Sequence, residues 1–278
     1  MKNSILITID VEDWFQVENF KPWIPFSSWS SHELRVEKNT YHLLDLLDHR
    51  RATFFILGWL AERLPHLVRE IHDRGHEVAS HGYYHHLCNR QSYTALRKDL
   101  TDSKKRLEDM IGEPVIGYRA PSFSINEDIL KIIEASGYCY DSSFNSFAMH
   151  GRYGHVDLSG NSKKGIAVKI SDDFDEIPIS NFKIRKRVFP IGGGGYFRVI
   201  PFPFFKLGVR RVLQQDHAYV FYMHPWEIDT EQPRVNEASL LYKFRHYVNL
   251  KKTPLKLSAL FETFKECSFV TCRKYLNK

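Results

Sequence analysis

Cysteine is scarce in this chain of 278 residues: four, at positions 88, 139, 267 and 272, with no Cys-x-x-Cys among them. They read as free thiols rather than as bridges or a zinc knuckle. Long hydrophobic runs are missing as well. The longest, residues 5–9 and 52–57, are strand-sized, well short of the roughly 18 apolar residues that a membrane span requires. The first of them ends in Asp10 with no cleavage-site pattern behind it, so the N-terminus does not read as a secretory signal and the sequence predicts a cytoplasmic protein. Twelve Pro and 15 Gly are ordinary usage, which excludes a collagen-like or low-complexity chain. No internal repeat and no linker interrupts the chain.

What is present is a hydrophobic fraction of 43%, enough for a sizeable core, and an aromatic fraction of 14%, which suits sugar-stacking surfaces as well as a core. The net charge of +6 is unevenly placed. Residues 183–215 hold eight Lys or Arg and no Asp or Glu, and residues 243–278 hold nine against two acids. A basic surface attracts anionic partners. No nucleic-acid motif accompanies the charge, so no nucleic-acid partner is expected.

Strand-like runs (5–9, 52–57, 77–80, 115–118, 176–179, 219–223) alternate with helix-like runs (41–50, 59–74, 92–111, 126–136, 255–267). Alternation at this spacing predicts an α/β fold with parallel strands covered by helices. An irregular (β/α) barrel competes with an open doubly wound sheet. In both, functional residues gather at the C-terminal ends of strands.

Four strand ends carry chemistry. Asp10-Val-Glu12-Asp13 follows the first strand, and three carboxylates in four residues there need a compensating cation. His81 and His85 follow the third. Four apart, they share one face if the segment is helical, the spacing a metal pair uses. Arg119, before Ala-Pro121, can hold a carboxylate in a fixed orientation. His224 follows the aromatic strand ending at Met223 and can act as a general acid. Two imidazoles and one carboxylate give a three-ligand site with an open position for water, the arrangement of a catalytic zinc or a similar divalent metal. Asp10 is then free to take a proton from that water, and His224 to give one to a leaving amine.

Together, Thr8-Ile-Asp10-Val-Glu12-Asp13, His81-Gly-Tyr-Tyr-His85, Arg119-Ala-Pro121 and Tyr222-Met-His224-Pro resemble the motifs of the polysaccharide deacetylase family, also called the NodB-homology or carbohydrate esterase family 4 group. Asp-Val-Glu-Asp-Trp-Phe and Gly-Gly-Gly-Tyr-Phe-Arg at 193–198 resemble the branch found in bacterial exopolysaccharide and surface-glycan loci. The resemblance covers roughly residues 1–230. It implies an irregular barrel of about seven strands, a single domain over 1–278 with a basic C-terminal extension from about 230, and a divalent metal, zinc before others.

The resemblance also implies roles. The metal is held by His81, His85 and either Glu12 or Asp13. Asp10 is the base, oriented by Arg119, and His224 is the acid. The adjacent Asp-Asp of the family is absent, and Glu12, two residues from Asp10, shares its strand face. Gly82 stands where the family usually has Ser or Thr. Asp175 or Glu176 is the expected acidic partner of the catalytic His. The reaction implied is removal of acetate from an N-acetylated sugar, with Trp14, Tyr84, Pro121, Phe123 and Trp226 against the substrate, and Phe15 and Tyr83 as further aromatics near the strand ends. The basic second half suggests a lipid- or phosphate-linked glycan. Residues 200–213, with Phe202, Phe204, Phe205 and Leu207 beside Lys206, Arg210 and Arg211, suggest contact with the inner membrane surface. The run 192–195 lacks the Lys-Ser/Thr of a phosphate loop and reads as a loop lining the substrate groove. Two rival functions are an amidohydrolase of the same fold acting on a small amide, and a non-catalytic glycan-binding relative.

Overall fold

Strand β1 (Ser4–Val11) is buried from Ile5 to Val11 without alternation, as expected of a strand covered on both faces. It pairs in parallel with β2 (Ala52–Ile56) on one side and with β11 (Ala218–Met223) on the other. The β2 pairing begins only at Ile7, and the free start of β1 pairs with β12 (Ser268–Phe269) through Ser4 and Ile5. The computed structural model describes residues 2–147, 153–185 and 187–278.

From β2 the sheet continues in parallel through β3 (Glu77–Ser80), β4 (Gly117–Tyr118), β5 (Tyr140–Asp141) and β8 (Asp175–Glu176). Seven parallel strands in the order β11-β1-β2-β3-β4-β5-β8 thus form the irregular barrel that the resemblance implies, rather than the open doubly wound sheet that the alternation left in competition. Antiparallel β7 (Ala167–Lys169) and β6 (Lys163–Lys164) extend its far edge, and β9 (Asn181–Ile184) with β10 (Arg187–Pro190) makes a separate hairpin. No ladder joins β8 to β11. Instead the Val220 N–H donates to Ser180 Oγ (2.8 Å), the Tyr222 N–H to the Gly192 carbonyl (2.7 Å) and the Tyr219 hydroxyl to the Ile191 carbonyl (2.5 Å).

The helices follow their caps. α1 (Val36–Leu47) starts where Asp13, 22 residues earlier, accepts the Arg35 N–H. The run 59–74, read as one helix, is two: α2 (Gly58–Arg63) and α3 (Pro65–Asp73). Pro65 suits the first position of a helix but pushes the preceding residue out of helical conformation, and Leu64 sits at φ −127°, ψ 55°. α4 (Tyr93–Ile111) is capped by Ser92 and ends at Gly112 in the left-handed region (φ +70°). α5 (Glu127–Ala135) is capped by Asn126, whose side chain accepts the Ile129 N–H. In the second half, α6 (Gly194–Val199), α7 (Phe202–Asp216), α8 (Leu240–Tyr247), α9 (Thr253–Thr263) and α10 (Cys272–Leu276) complete the chain.

The segment from about residue 230, where the resemblance ends, packs against the rest of the core. β12 extends the sheet, Leu257, Leu260 and Phe261 of α9 are buried, and the Cys272 N–H donates to Thr53 Oγ1 (2.9 Å). Charge described its exposed side; its apolar residues at helical spacing decide where it packs. All four cysteines are free thiols.

Candidate active site

The upper ends of β1, β3, β4 and β11 deliver Asp10, Glu12, His81, His85, Arg119 and His224 to one place. Asp10 lies at the end of β1 and Glu12 follows across a tight turn in which its N–H donates to the Asp10 carbonyl (2.9 Å), and both carboxylates line one cavity. His81 and His85 each place Nε2 3.0 Å from the same Glu12 oxygen. His81 Nδ1 is 2.8 Å from the Arg119 carbonyl. A carbonyl only accepts, so Nδ1 carries a proton, and in the neutral ring Nε2 then points a lone pair at a carboxylate. Two acceptors at that separation repel unless a proton or a cation lies between them. Glu12, His81 and His85 are all buried and their ligand atoms lie within 4.8 Å of one another, so the set fits a divalent ion. Burial works to raise the Glu12 pKa, but His85 and His224 outweigh it and hold the carboxyl well below its usual range.

The pair does not stand on a helix, as the four-residue spacing suggested. Gly82 (φ +76°) and His85 (φ +56°) turn the backbone through left-handed conformations. Asp99 of α4 fixes this turn by accepting the N–H groups of Tyr83 (3.0 Å) and Tyr84 (3.4 Å), while Ser103 donates to the Gly82 carbonyl (3.0 Å). Burial pushes the Asp99 pKa up to about 6. A side chain at Gly82 would meet Asp99 Oδ1 at 2.8 Å, which explains glycine there in place of Ser or Thr.

Arg119 is fully buried. Its Nη1 donates to Asp10 Oδ1 and to Thr8 Oγ1 (2.7 Å each), its Nε to the Ser142 carbonyl and its Nη2 to Ser142 Oγ (2.8 Å each). Its guanidinium also lies 4.1 Å from the Phe55 ring centroid. Opposite, His224 Nε2 is 4.0 Å from Asp10 Oδ2 and 3.7 Å from Glu12 Oε1. Its Nδ1 pairs with Glu227 Oε1 at 2.9 Å, and Glu227 Oε2 accepts from Arg198 Nε at 2.7 Å. Burial opposes charge on His224, but Glu12, Glu227 and Asp10 together lift its pKa to about 9. Beside these groups opens a cavity of about 340 Å³.

Two family models match the chain. One, polysaccharide deacetylase, covers residues 27–140, and the other, a domain of unknown function (DUF3473), covers residues 142–277. Residues 27–140 thus carry the polysaccharide deacetylase pattern. It is 35% identical over 101 residues to a peptidoglycan-N-acetylglucosamine deacetylase of Bacillus cereus, covering 36% of this chain and 47% of that protein. It is 32% identical over 97 residues to a peptidoglycan deacetylase of Helicobacter pylori, covering 34% of this chain and 32% of that protein. The matches therefore span less than half the length of these curated relatives. A putative polysaccharide deacetylase from Mycobacterium smegmatis shares the fold over 99% of this chain and 90% of its own, with a TM-score of 0.63 at 18% identity. The peptidoglycan deacetylase PdaC of Bacillus subtilis gives a TM-score of 0.50 at 15% identity over 99% of this chain and 91% of its own. The site draws on three parts of the chain: Asp10 and Glu12 precede the deacetylase match, His81, His85 and Arg119 lie within it, and His224 lies in the second matched region.

Several expectations need correction. Asp13 is not with the imidazoles. Its Oδ2 accepts the N–H groups of Arg35 (2.7 Å) and Val36 (2.8 Å) and its Oδ1 that of Trp14 (2.8 Å), so it caps α1. Burial pushes its pKa up to about 6. Glu12 is the carboxylate that meets both histidines. Asp175 and Glu176 lie away from His224. Burial and the adjacent Asp141 push Glu176 well above its usual range. The partner of His224 is Glu227, three residues on, across a short 3-10 turn opened by Pro225. The signal for it is local: an acid at that spacing caps the turn that the histidine begins.

Of the aromatic residues, Phe123 and Trp226 line the cavity. Trp14 does not. It is buried, packed edge-on against Phe15 (5.6 Å) and His32 (5.2 Å). Tyr84 is exposed outside the cavity against Phe26 (5.3 Å), and Pro121 is buried at the start of a 3-10 turn. Phe15 and Tyr83 are core residues. The run 192–195 is part loop and part helix: Gly194 begins α6 and Gly195 lines the cavity. The sequence reading did not single out Arg198 or His246. His246 stacks on Trp226 at 4.1 Å and 13°, and burial holds its pKa well below the usual histidine range.

Proposed function

We propose that this protein hydrolyses the acetamide of an N-acetylated sugar, releasing acetate and a free amine, in a bacterial surface-glycan or exopolysaccharide pathway. The observation that carries the reading is the single Glu12 oxygen facing two imidazole nitrogens at 3.0 Å, one of them with its proton committed elsewhere, beside a carboxylate held by arginine. Glu12, His81 and His85 would hold a divalent metal, zinc before others, which would supply Lewis acidity to the substrate carbonyl and to water. Asp10, turned by Arg119 so that Oδ2 faces the site, accepts the proton of the attacking water. His224 enters the reaction charged, because its neighbours hold its pKa at about 9, and it gives that proton to the departing nitrogen. Glu227 keeps Nδ1 protonated and the ring oriented, leaving Nε2 as the donor. Phe123 and Trp226 offer apolar faces to the sugar. Four free thiols support a reducing, cytoplasmic location.

The test is acetate release from a panel of N-acetylated glycans by the purified chain, as isolated, after chelation and after adding back zinc. Release that disappears on chelation and returns with metal supports the reading. Full release from metal-free protein would sink it.

A further inference from the structure

The large apolar side chains left exposed are not spread evenly. Twelve are exposed among the described residues, and seven of them lie between Val199 and Leu255. Phe204 (70% exposed) and Leu207 lie on α7, Leu240 (81%), Leu241 and Phe244 on α8, and Leu255 (78%) in the first turn of α9. On α7, Phe204, Leu207 and Arg211 follow helical spacing on the outer face, while Phe205, Val209 and Val212 face the core.

Cations predominate around these residues, with Asp216 closing α7 and Glu262 near the end of α9. Residues 202–215 and 240–260 hold eight Lys or Arg and no Asp or Glu. The side chains of Lys206, Arg210, Arg211, Lys251 and Lys252 take part in no ion pair among the described residues. The segments also converge. Arg198, at the end of α6, donates to the carbonyls of His246 (2.8 Å), Arg245 (2.9 Å) and Val248 (2.9 Å), and Asn249 donates to the Arg198 carbonyl (2.9 Å). The Lys256 ammonium donates to the carbonyls of Phe197 and Ile200. Val199 and Phe244, at this junction, also line the active-site cavity.

We propose that this face docks on an anionic lipid bilayer, its apolar side chains entering the headgroup layer and its Lys and Arg meeting lipid phosphates, with the cavity mouth at the membrane. Exposed apolar side chains ringed by unpaired cations are the chemistry of interfacial binding. An acidic polymer would satisfy the cations and leave Phe204, Leu207, Leu240 and Leu255 without a role. No helix among the described residues is long and apolar enough to cross a membrane, so the contact is peripheral. Docking stands on this surface alone; that the cavity then receives a membrane-carried glycan rests on the deacetylase reading.

The experiment is co-sedimentation of the full chain with vesicles of phosphatidylcholine, with and without phosphatidylglycerol. Retention on the anionic vesicles only, weakened by salt, is expected. Lys251→Ala with Lys252→Ala should weaken binding roughly thirtyfold, and Phe204→Ser with Leu207→Ser about tenfold. All four positions are outside the cavity, so melting temperature and acetate release from a soluble substrate should stay unchanged in both variants. No retention at low salt, or retention that neither pair alters, overturns docking. Binding to heparin as tight as to vesicles and indifferent to Phe204 and Leu207 also overturns it, in favour of an acidic polymer. Acetate release without docking would leave the deacetylase reading standing, and docking without acetate release would leave the membrane reading standing.

Discussion

The two arms of the site are built differently. On one, Glu12, His81, His85, Asp10 and Arg119 come from strand ends and the turns after them, held by buried Thr8 and Ser142 and by Asp99 of α4. On the other, His224 depends on Glu227, and Glu227 on Arg198, whose remaining donors go to the carbonyls of Arg245, His246 and Val248. The first arm is fixed by sheet geometry. The second is fixed by one arginine spanning α6 and the end of α8. The contrast teaches that, on the proposed reading, metal retention and proton delivery can be disturbed separately, although the two arms meet within 4 Å.

The sharpest way to break the comparison is His81→Ala, which removes a ligand of the first arm. Bound metal and acetate release should fall together to background, read by elemental analysis and an acetate assay. His224→Ala should lower kcat by about 10²–10⁴-fold with metal content unchanged. Equal loss of metal in both variants would mean that the arms are not separable. Glu227→Gln should be milder, with kcat down by about ten- to a hundredfold and a telling pH profile. His224 loses its donor proton as pH rises through its pKa, lifted to about 9 by Glu12, Glu227 and Asp10 against burial. A metal on Glu12 removes one of these contributions, so the alkaline limb of the wild type falls at or below that value. Without the Glu227 charge the limb should move to lower pH, which a kcat–pH series measures.

Smaller effects separate structure from chemistry. Asp13→Ala should cost about 2 kcal/mol of stability through lost α1 capping and leave the metal in place. Gly82→Ala should cost about 1 kcal/mol through backbone strain and the Asp99 contact, read in a denaturant melt.

The first arm was legible in the sequence because each of its groups sits directly after a hydrophobic strand, and strand ends converge in a barrel. What the sequence left open there was Glu12 against Asp13, adjacent residues whose burial no pattern distinguishes. The second arm was half visible. His224 followed a strand, but its partner was sought at Asp175 or Glu176 through family resemblance, while a local turn supplies Glu227. The His81–His85 spacing was right in number and wrong in conformation, because Asp99, from a helix 14 residues further on, overrides the helical option. Trp14 and Tyr84 lay near strand ends in sequence, yet side-chain direction after a turn is a tertiary matter. The packing of the C-terminal segment was not legible, because it lies beyond the motifs and its charge reports only the face toward water.

Arg119 touches more than the reaction. It grips Thr8 and Asp10 at the end of one strand and Ser142 just past another, rests on Phe55 of a third, and reaches a fourth through the bond from Ser142 Oγ to the Ile177 carbonyl (2.8 Å). Losing this guanidinium would loosen the wall of the barrel as well as free Asp10, so an inactive variant at position 119 reports on folding before it reports on chemistry.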